Sequence, residues 1–191
     1  MMDNNKALRE TPMTDETVFD GLIIHVNHMT VELPNGNTSR REVVHHNGGA
    51  AIIPVDDDEN IYMVRQHRIA VNEVTMEIPA GKLEYPGADF REAAIRELEE
   101  ETGLRAKHVE LLSSSFPTPG YSNEIIGVYL ATGLSQHEDH PDADEFLHVI
   151  KVPLKDAVAR VMSGEFRDGK TIIGILMAWY RLHGYEKPAT K

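Results

Sequence analysis

The chain has 191 residues, of which 41% are hydrophobic, so it is long enough for one domain with an additional arm and a buried core. A formal net charge of −12 argues against nucleic acids and anionic membranes as partners. The absence of cysteine excludes disulfides and thiolate metal sites, and it is compatible with a reducing, cytoplasmic location.

The N-terminal part of the chain is predicted to be an arm that leads into a β-hairpin. Residues 1–16 are polar, show no periodicity and lack the apolar core of a signal peptide, so we expect a loose arm. Residues 19–33 alternate between apolar and polar, which predicts a strand, and residues 39–46 are predicted to form the returning strand. The Asn-Gly turn between them lies within Pro34–Asn37. Because a lone hairpin is marginally stable in water, this one is expected to need a partner surface.

From residue 48 onward the pattern predicts a mixed α/β domain. Strands are expected at 50–55, 61–66, 73–78, 107–115, 125–132 and 145–152, and helices around 92–98, at 154–163 and at 171–183. This order lacks the alternation of a doubly wound sheet and indicates a mixed sheet covered by helices. No apolar run approaches the roughly 18 residues that a membrane-spanning helix needs.

The segment Arg96–Leu104 places three glutamates on one side of a helical turn. Glu97, Glu100 and Glu101 are three and four residues apart, so their side chains share a face. They would repel one another near a helix C-terminus, where the macrodipole also disfavours anions. A divalent cation with hard oxygen ligands, Mg²⁺ or Mn²⁺ rather than zinc, would remove both penalties. A solvated acidic helix face is the alternative interpretation.

This helix and the loop before it resemble the Nudix box, Gly-x5-Glu-x7-Arg-Glu-U-x-Glu-Glu-x-Gly-U, in which U is apolar. Its fixed positions are occupied by Gly81, Arg96, Glu97, Leu98, Glu100, Glu101, Gly103 and Leu104. The match departs from the pattern twice, because one extra residue, most simply Tyr85, lies in the loop and Ala88 replaces the first glutamate. These departures predict an altered metal affinity rather than a loss of activity.

Further segments resemble the ADP-ribose pyrophosphatase branch of the Nudix family. Arg65–Arg68 is similar to its Arg-Gln-aromatic-Arg motif, with a histidine in the aromatic position, and Glu77–Gly81 is similar to its box entrance. The resemblance extends over roughly residues 18–182 through the segments 39–46, Thr118–Glu124, Asp144–Phe146 and Gly169–Thr171. It implies an α/β/α sandwich with a mixed sheet, preceded by an N-terminal antiparallel β-hairpin arm.

The resemblance also implies a hydrolase dependent on Mg²⁺, or on Mn²⁺, that splits ADP-ribose into AMP and ribose 5-phosphate. The metal ligands would be the carboxylates of Glu97, Glu100 and Glu101 and the carbonyl of Ala80. Arg96 would hold these carboxylates in place by pairing with Glu92 or Glu100, each four residues away. The general base is expected from an acidic loop after the box, with Glu145 as the first candidate and Asp144 as the second.

The substrate contacts are expected from segments on both sides of the box. Arg65 and Arg68 would hold the diphosphate through forked donors, or would instead balance surface carboxylates. Tyr121 is a candidate for stacking on a ribose or a base, with a half-buried core tyrosine as the alternative. The remaining assignments to the substrate pocket are Arg41, Glu77, Pro119 and Gly120, and Glu124 is a further candidate carboxylate.

The resemblance divides the chain into a dimerisation arm and hairpin over residues 1–47, a Nudix hydrolase domain over 48–185 and a tail over 186–191. It implies a homodimer, because the arm of this branch belongs to the dimer interface. Another nucleotide sugar or a dinucleotide is the alternative substrate. A catalytically silent domain that senses ADP-ribose or NAD derivatives is the alternative function, and its support is Ala88 and the Tyr85 insertion.

The ten histidines do not predict a zinc site. His45 and His46 are neighbours on a predicted strand and therefore face opposite ways. His137 and His140 lie in a polar segment that is expected to be a loop.

Overall fold

The computed structural model describes residues 7–137 and 146–184, which form two compact units. The first unit runs from the start of the described chain to Asn47 and takes in Thr118–Glu124. The second unit comprises Gly48–Pro117 and the described part of Ile125–Lys191. The first unit thus includes a loop from the middle of the sequence, which no local sequence pattern indicated.

The first unit is a three-stranded antiparallel sheet in the order β1-β2-β3, made of Thr11–Asp20, His25–Glu32 and Thr38–His45. The predicted hairpin between β2 and β3 is confirmed, and Gly36 in its turn has a φ of 81°. The expected loose arm is wrong over most of β1, and the predicted strand 19–33 is broken by a turn in which the Gly21 amide donates to the Ile24 carbonyl. Strand β1 is exposed along its whole length, so it is held by backbone pairing with β2. Its sequence has no apolar periodicity from which a strand could be predicted.

The second unit contains two sheets, whose strands are β4 Gly49–Pro54, β5 Asn60–Arg68, β6 Glu73–Glu77, β7 Ala80–Lys82, β8 Leu104–Ser115, β9 Ile126–Gln136 and β10 Leu147–Pro153. One sheet has the order β7-β4-β9-β8 and the other has the order β10-β5-β6. Strands β4 and β9 are parallel, whereas the other pairs are antiparallel, so the predicted mixed sheet is confirmed. The three-residue strand β7 was not predicted.

Three helices complete the second unit: α1 Phe90–Thr102, α2 Leu154–Met162 and α3 Gly169–His183. Asp89 caps α1 by accepting hydrogen bonds from the amides of Arg91 and Glu92, and Gly103 ends it in the left-handed region with a φ of 65°. No helix in the described part of the chain combines the length and the apolar character needed to cross a membrane.

The core of the second unit consists of two apolar clusters on opposite faces of β4. Ala50 and Ile52 belong to the cluster that contains the α1 residues Ala93, Ala94 and Leu98. Ala51 and Ile53, one residue further along in each case, belong to the cluster that contains Leu154, Ala157, Ile175 and Ala178 of α2 and α3. Because side chains alternate across a strand, β4 lies between helical layers, and the predicted α/β/α sandwich is confirmed.

Candidate active site

Two glutamates of α1 are buried, which is rare for this side chain. Glu97 is 7% exposed and Glu101 is 2% exposed. They lie on the face of α1 that packs against β4 and β7, together with Leu98. The Glu101 carboxylate accepts a hydrogen bond from the Ala80 amide, with 3.2 Å between Ala80 N and Glu101 Oε2. This bond joins the helix to the first residue of β7.

Gly81 allows α1 to approach β7 closely. A Cβ at this position would overlap the carboxylate of Glu97 and would lie 2.6 Å from Glu97 Oε2. Any larger residue would therefore displace the Glu97 side chain. The structure thus gives a steric reason for a glycine at this position of the box.

Arg96 lies among three carboxylates. Its Nη2 is 2.8 Å from Glu97 Oε1, and its Nη1 donates to Glu100 Oε2 at 2.7 Å. Its Nε is 3.9 Å from Glu84 Oε1. Burial alone would lower the pKa of Arg96, but the charges of Glu97, Glu100 and Glu84 raise it. Of its two expected partners, the structure pairs it with Glu100, whereas Glu92 pairs with Arg91 at 3.3 Å.

The donor chemistry of these glutamates suits a divalent cation. Carboxylate and carbonyl oxygens are the ligands that Mg²⁺ and Mn²⁺ prefer. Within residues 7–137 and 146–184, no three Asp, Glu or His side chains are gathered closely enough to hold an ion as they stand. Arg96 binds one oxygen of Glu97 and one oxygen of Glu100, so it can orient both carboxylates while their second oxygens are turned to a cation.

Glu77, at the end of β6, is the centre of a second charged group. Arg68 donates to both of its oxygens, with Nε 2.9 Å from Oε1 and Nη2 2.8 Å from Oε2. Thr75 donates its hydroxyl to Oε1 at 2.5 Å, and Lys170 pairs with Oε2. Burial alone would raise the pKa of Glu77, but Arg68, Lys170 and Thr75 together lower it to about 2. Two expected substrate contacts, Arg68 and Glu77, are therefore bound to each other.

The first turn of α3 supplies residues that the sequence interpretation did not assign to the site. Asp168 caps the helix by accepting from the Thr171 amide at 3.0 Å, and it lies 3.1 Å from Lys170 Nζ. The Thr171 hydroxyl accepts from the Ile78 amide at 3.0 Å, and both residues are fully buried. The resemblance had marked Gly169–Thr171, but no local pattern indicates which distant backbone group this hydroxyl binds.

Arg65 lies on the exposed part of β5 and lines a cavity of about 330 Å³. Thr75 and Asp168 line the same cavity, which therefore borders the charged group around Glu77. Arg160 and Arg167 also line it and are paired with Glu165 and Glu73.

The other expected substrate contacts lie in the first unit. Arg41 on β3 is paired with Glu10, and its Nε lies 3.0 Å from Glu10 Oε2. Pro119 and Gly120 belong to a turn in which the Ser122 amide donates to the Thr118 carbonyl at 3.0 Å.

Two side chains after this turn differ in their surroundings. Tyr121 is 57% exposed, so the core alternative for this residue is wrong. Its carbonyl accepts from the Val44 amide at 2.7 Å, which ties the loop to β3. Glu124 lies 3.4 Å from His46 Nδ1.

The two departures from the box lie in the loop before α1. Tyr85 is exposed, and its carbonyl accepts from the Ala88 amide at 3.2 Å. Ala88 packs its methyl group against the apolar cluster under α1. The candidate general bases, Glu145 and Asp144, lie outside the described residues, as does His140.

Comparison with known proteins gives a consistent family. The NUDIX domain model matches residues 45–172. An ADP-ribose pyrophosphatase of Bacillus subtilis (strain 168) is 42% identical over 172 residues, which are 89% of this chain and 92% of the relative. An ADP-ribose pyrophosphatase of Mycobacterium tuberculosis is 36% identical over 180 residues, or 92% and 86% of the two chains.

The chain is also similar to a relative that carries a different name and to a solved structure. A methanol dehydrogenase activator of Bacillus methanolicus is 41% identical over 172 residues, which are 89% of this chain and 92% of the relative. The crystal structure of an ADP compounds hydrolase superposes with a TM-score of 0.79 and covers 93% of this chain and 97% of its own. Its sequence identity is 22%, so this last likeness supports the fold alone.

Proposed function

Since this chain belongs to the NUDIX domain family, we propose that it hydrolyses the pyrophosphate bond of ADP-ribose to give AMP and ribose 5-phosphate. The observation that carries the proposal is the pair of buried glutamates, Glu97 and Glu101, held on α1 against Gly81 and the Ala80 amide. Two relatives named ADP-ribose pyrophosphatase, at 42% and 36% identity, support the choice of substrate.

The proposed cofactor is Mg²⁺, with Mn²⁺ as a substitute, held by Glu97, Glu100, Glu101 and the Ala80 carbonyl. When bound, a divalent cation neutralises the diphosphate and lowers the pKa of a bound water. Arg96 keeps the carboxylates of Glu97 and Glu100 oriented and compensates their charge. A protein with a net charge of −12 needs such local compensation to accept an anionic substrate.

The substrate contacts are proposed with one revision. Arg68 remains 40% exposed while it holds Glu77, so its free edge can meet a phosphate oxygen. Glu77 is buried by Arg68, Thr75 and Lys170, and we therefore reassign it to orienting Arg68 rather than to touching the substrate. Arg65 is proposed as the second phosphate contact.

The remaining assignments rest on the family resemblance. Arg41, Pro119, Gly120 and Tyr121 stay candidate pocket residues in the first unit. Glu145, and after it Asp144, stays the candidate general base, because a loop that precedes a strand suits a group that closes over bound substrate. A homodimer through the first unit and a cytoplasmic location complete the proposal.

The second candidate function is a silent domain that binds ADP-ribose or a related compound and acts through a partner. It is favoured by the relative named a methanol dehydrogenase activator and by Ala88, which places a methyl group at the position of a box carboxylate. Retention of the box residues Glu97, Glu100, Glu101 and Arg96 argues for turnover instead.

The test is hydrolysis of ADP-ribose, ADP-glucose and diadenosine diphosphate by the purified chain, with and without Mg²⁺. We expect AMP to form fastest from ADP-ribose and only with the cation. Glu101→Gln should lower the rate by roughly 100-fold or more, because one buried charge at the reacting centre is lost. Glu99→Gln is the matched control on the same helix, since Glu99 pairs with Arg105.

The outcomes separate the alternatives. Faster release from another compound would keep the reaction class and change the substrate. If none of the three is turned over while Mn²⁺ and ADP-ribose still bind, the silent domain becomes the conclusion. Equal losses in Glu99→Gln and Glu101→Gln would contradict the assignment of Glu101.

A further inference from the structure

The segment between β6 and β7 connects the Glu77 group to the box. Ile78 and Pro79 belong to neither strand, so their backbone groups need partners from elsewhere. The Pro79 carbonyl accepts from the Ile52 amide of β4 at 2.9 Å. On the other side, the fully buried Ile78 amide donates to the Thr171 hydroxyl at 3.0 Å. The segment is therefore held between β4 and the first turn of α3.

The approach of α3 to this segment depends on a small residue. Gly174 lies three residues after Thr171 and shares its face of the helix. A Cβ at Gly174 would lie 2.8 Å from Ile78 Cδ1, closer than ordinary contact allows. The glycine thus lets the helix come near enough for the Thr171 hydroxyl to reach the Ile78 amide.

Lys170 holds the residue just before Ile78. It pairs with Oε2 of the buried Glu77 carboxylate, and Arg68 donates to both oxygens of the same carboxylate. Lys170 is 12% exposed and Arg68 is 40% exposed, so the lysine is the inner of the two cations. Asp168, the cap of α3, lies 3.1 Å from Lys170 and fixes its direction.

These anchors lie two or three residues from the peptide group that meets α1. The Ala80 amide donates to Glu101, and Ala80 pairs with Ala51 of β4 in the sheet register. We propose that Thr171 and Lys170 are positioning residues of the hydrolytic site, which hold Ile78 and Glu77 so that the Ala80 peptide faces Glu101. The catalytic meaning of this inference rests on the function proposed above, whereas its geometric part does not.

The experiment measures amide hydrogen exchange at Ile78 and Ala80 in the full isotope-labelled chain, together with Mn²⁺ affinity without substrate. Thr171→Val keeps the shape and removes the acceptor, and Thr171→Ser keeps the hydroxyl. In the valine variant we expect both amides to exchange roughly tenfold faster or more, because the local hydrogen bonds open more often. We expect Mn²⁺ affinity to fall by roughly tenfold, as for other residues that orient metal ligands. The serine variant should restore both values.

Lys170→Met is the second variant, and it carries the test if the valine variant does not fold. Like Thr171→Val, it should speed hydrogen exchange at the Ala80 amide and weaken Mn²⁺ binding. Lys151→Met is the matched control, because Lys151 pairs with Asp56, 2.6 Å away, and neither residue contacts the Glu77–Ala80 segment in any hydrogen bond or ion pair of the described chain. Its exchange and Mn²⁺ values should stay those of the unmodified chain.

Two results would overturn the inference. One is faster exchange at Ile78 with unchanged exchange at Ala80 and unchanged Mn²⁺ affinity, which would confine Thr171 to the core. The other is an unchanged rate of hydrogen exchange at the Ala80 amide in Lys170→Met. Failure of the proposed substrate is distinguishable, because a chain that does not hydrolyse ADP-ribose can still show all the expected exchange and Mn²⁺ changes.

Discussion

At the scale of single residues, the charged group around Glu77 shows how a buried carboxylate is kept ionised. Arg68 and Lys170 supply two positive charges to one carboxylate, and Thr75 adds a hydroxyl donor. Asp168 lies 3.1 Å from Lys170 Nζ, so the two cations and the two carboxylates of this group balance in charge. The guanidinium of Arg68 is 40% exposed, and it is therefore the member of the group that we propose to meet an anionic substrate.

A pH dependence of stability follows from the pKa of Glu77. The value is about 2 in the folded chain against 4.5 for an unperturbed glutamate, so folding favours the ionised form. This contribution, up to about 3 kcal/mol, is fully present above about pH 5 and is lost as the pH falls toward 2. Urea unfolding at several pH values should show it as a falling free energy of unfolding in that window.

Glu77→Gln is the comparison for this measurement. The variant should be less stable near neutral pH, because Lys170 and Arg68 lose their carboxylate, and its free energy of unfolding should depend less on pH between 5 and 2. Equal slopes in the two proteins would show that other carboxylates cause the acid sensitivity.

At the scale of elements, the site depends on how closely α1 and β7 approach each other. The approach is possible because Gly81 has no side chain beside the Glu97 carboxylate. Helix spacing then places Glu101 one turn further along, where its carboxylate accepts a hydrogen bond from the Ala80 amide. The short strand β7 was missed from the sequence because three residues are too few to show a period, and its pairing with β4 alone defines it.

Gly81→Ala is expected to displace the Glu97 side chain and to lower ADP-ribose hydrolysis and Mn²⁺ affinity together. The atoms that the new Cβ meets are the far end of the Glu97 side chain, which can move aside, so we expect the thermal stability to change much less than the Mn²⁺ affinity. Gly169→Ala is the matched control, because a Cβ there meets nothing within 4 Å and the backbone is at the start of a helix. Thermal unfolding and a Mn²⁺ titration of both variants check this expectation, and an unaffected Gly81→Ala would contradict the steric role of the glycine.

At the scale of the whole molecule, the chain consists of a small all-β unit and a larger α/β/α unit. In the smaller unit Met13, Val18, Phe19 and Ile23 are exposed, and strand β1 has an exposed edge along all ten residues. An exposed edge strand that carries some apolar side chains is a ready partner for another chain. This supports the proposal that the first unit is the dimerisation unit.

A mass near twice 21.4 kDa in solution is the expected result of light scattering on the purified chain. Replacing the exposed Phe19 by lysine should weaken a dimer that forms through this unit, since a charge would enter the interface. Glu84→Lys changes an exposed residue of the other unit and serves as the comparison. A shortened chain without residues 1–46 that is monomeric and fully active would exclude this unit as a necessary interface.

Sequence alone determined the elements whose pattern is local. Helix α1 and the shared face of Glu97 and Glu101 follow from a spacing of three to four residues, and the Asn-Gly turn follows from backbone preference. The resemblance to the Nudix box then indicated that the glutamates on this face of α1 bind a divalent cation. The N-cap of α1, Asp89, was found only in the structure.

Only the tertiary structure decided which distant groups meet at the site. The Glu77 carboxylate and the Lys170 ammonium are 93 residues apart, as are the Ile78 amide and the Thr171 hydroxyl. Strand β1 likewise owes its conformation to pairing with β2 and not to its own polar residues. These contacts exist because α3 packs against the sheet through Gly174 and because backbone groups need partners, and neither cause leaves a periodic trace in the sequence.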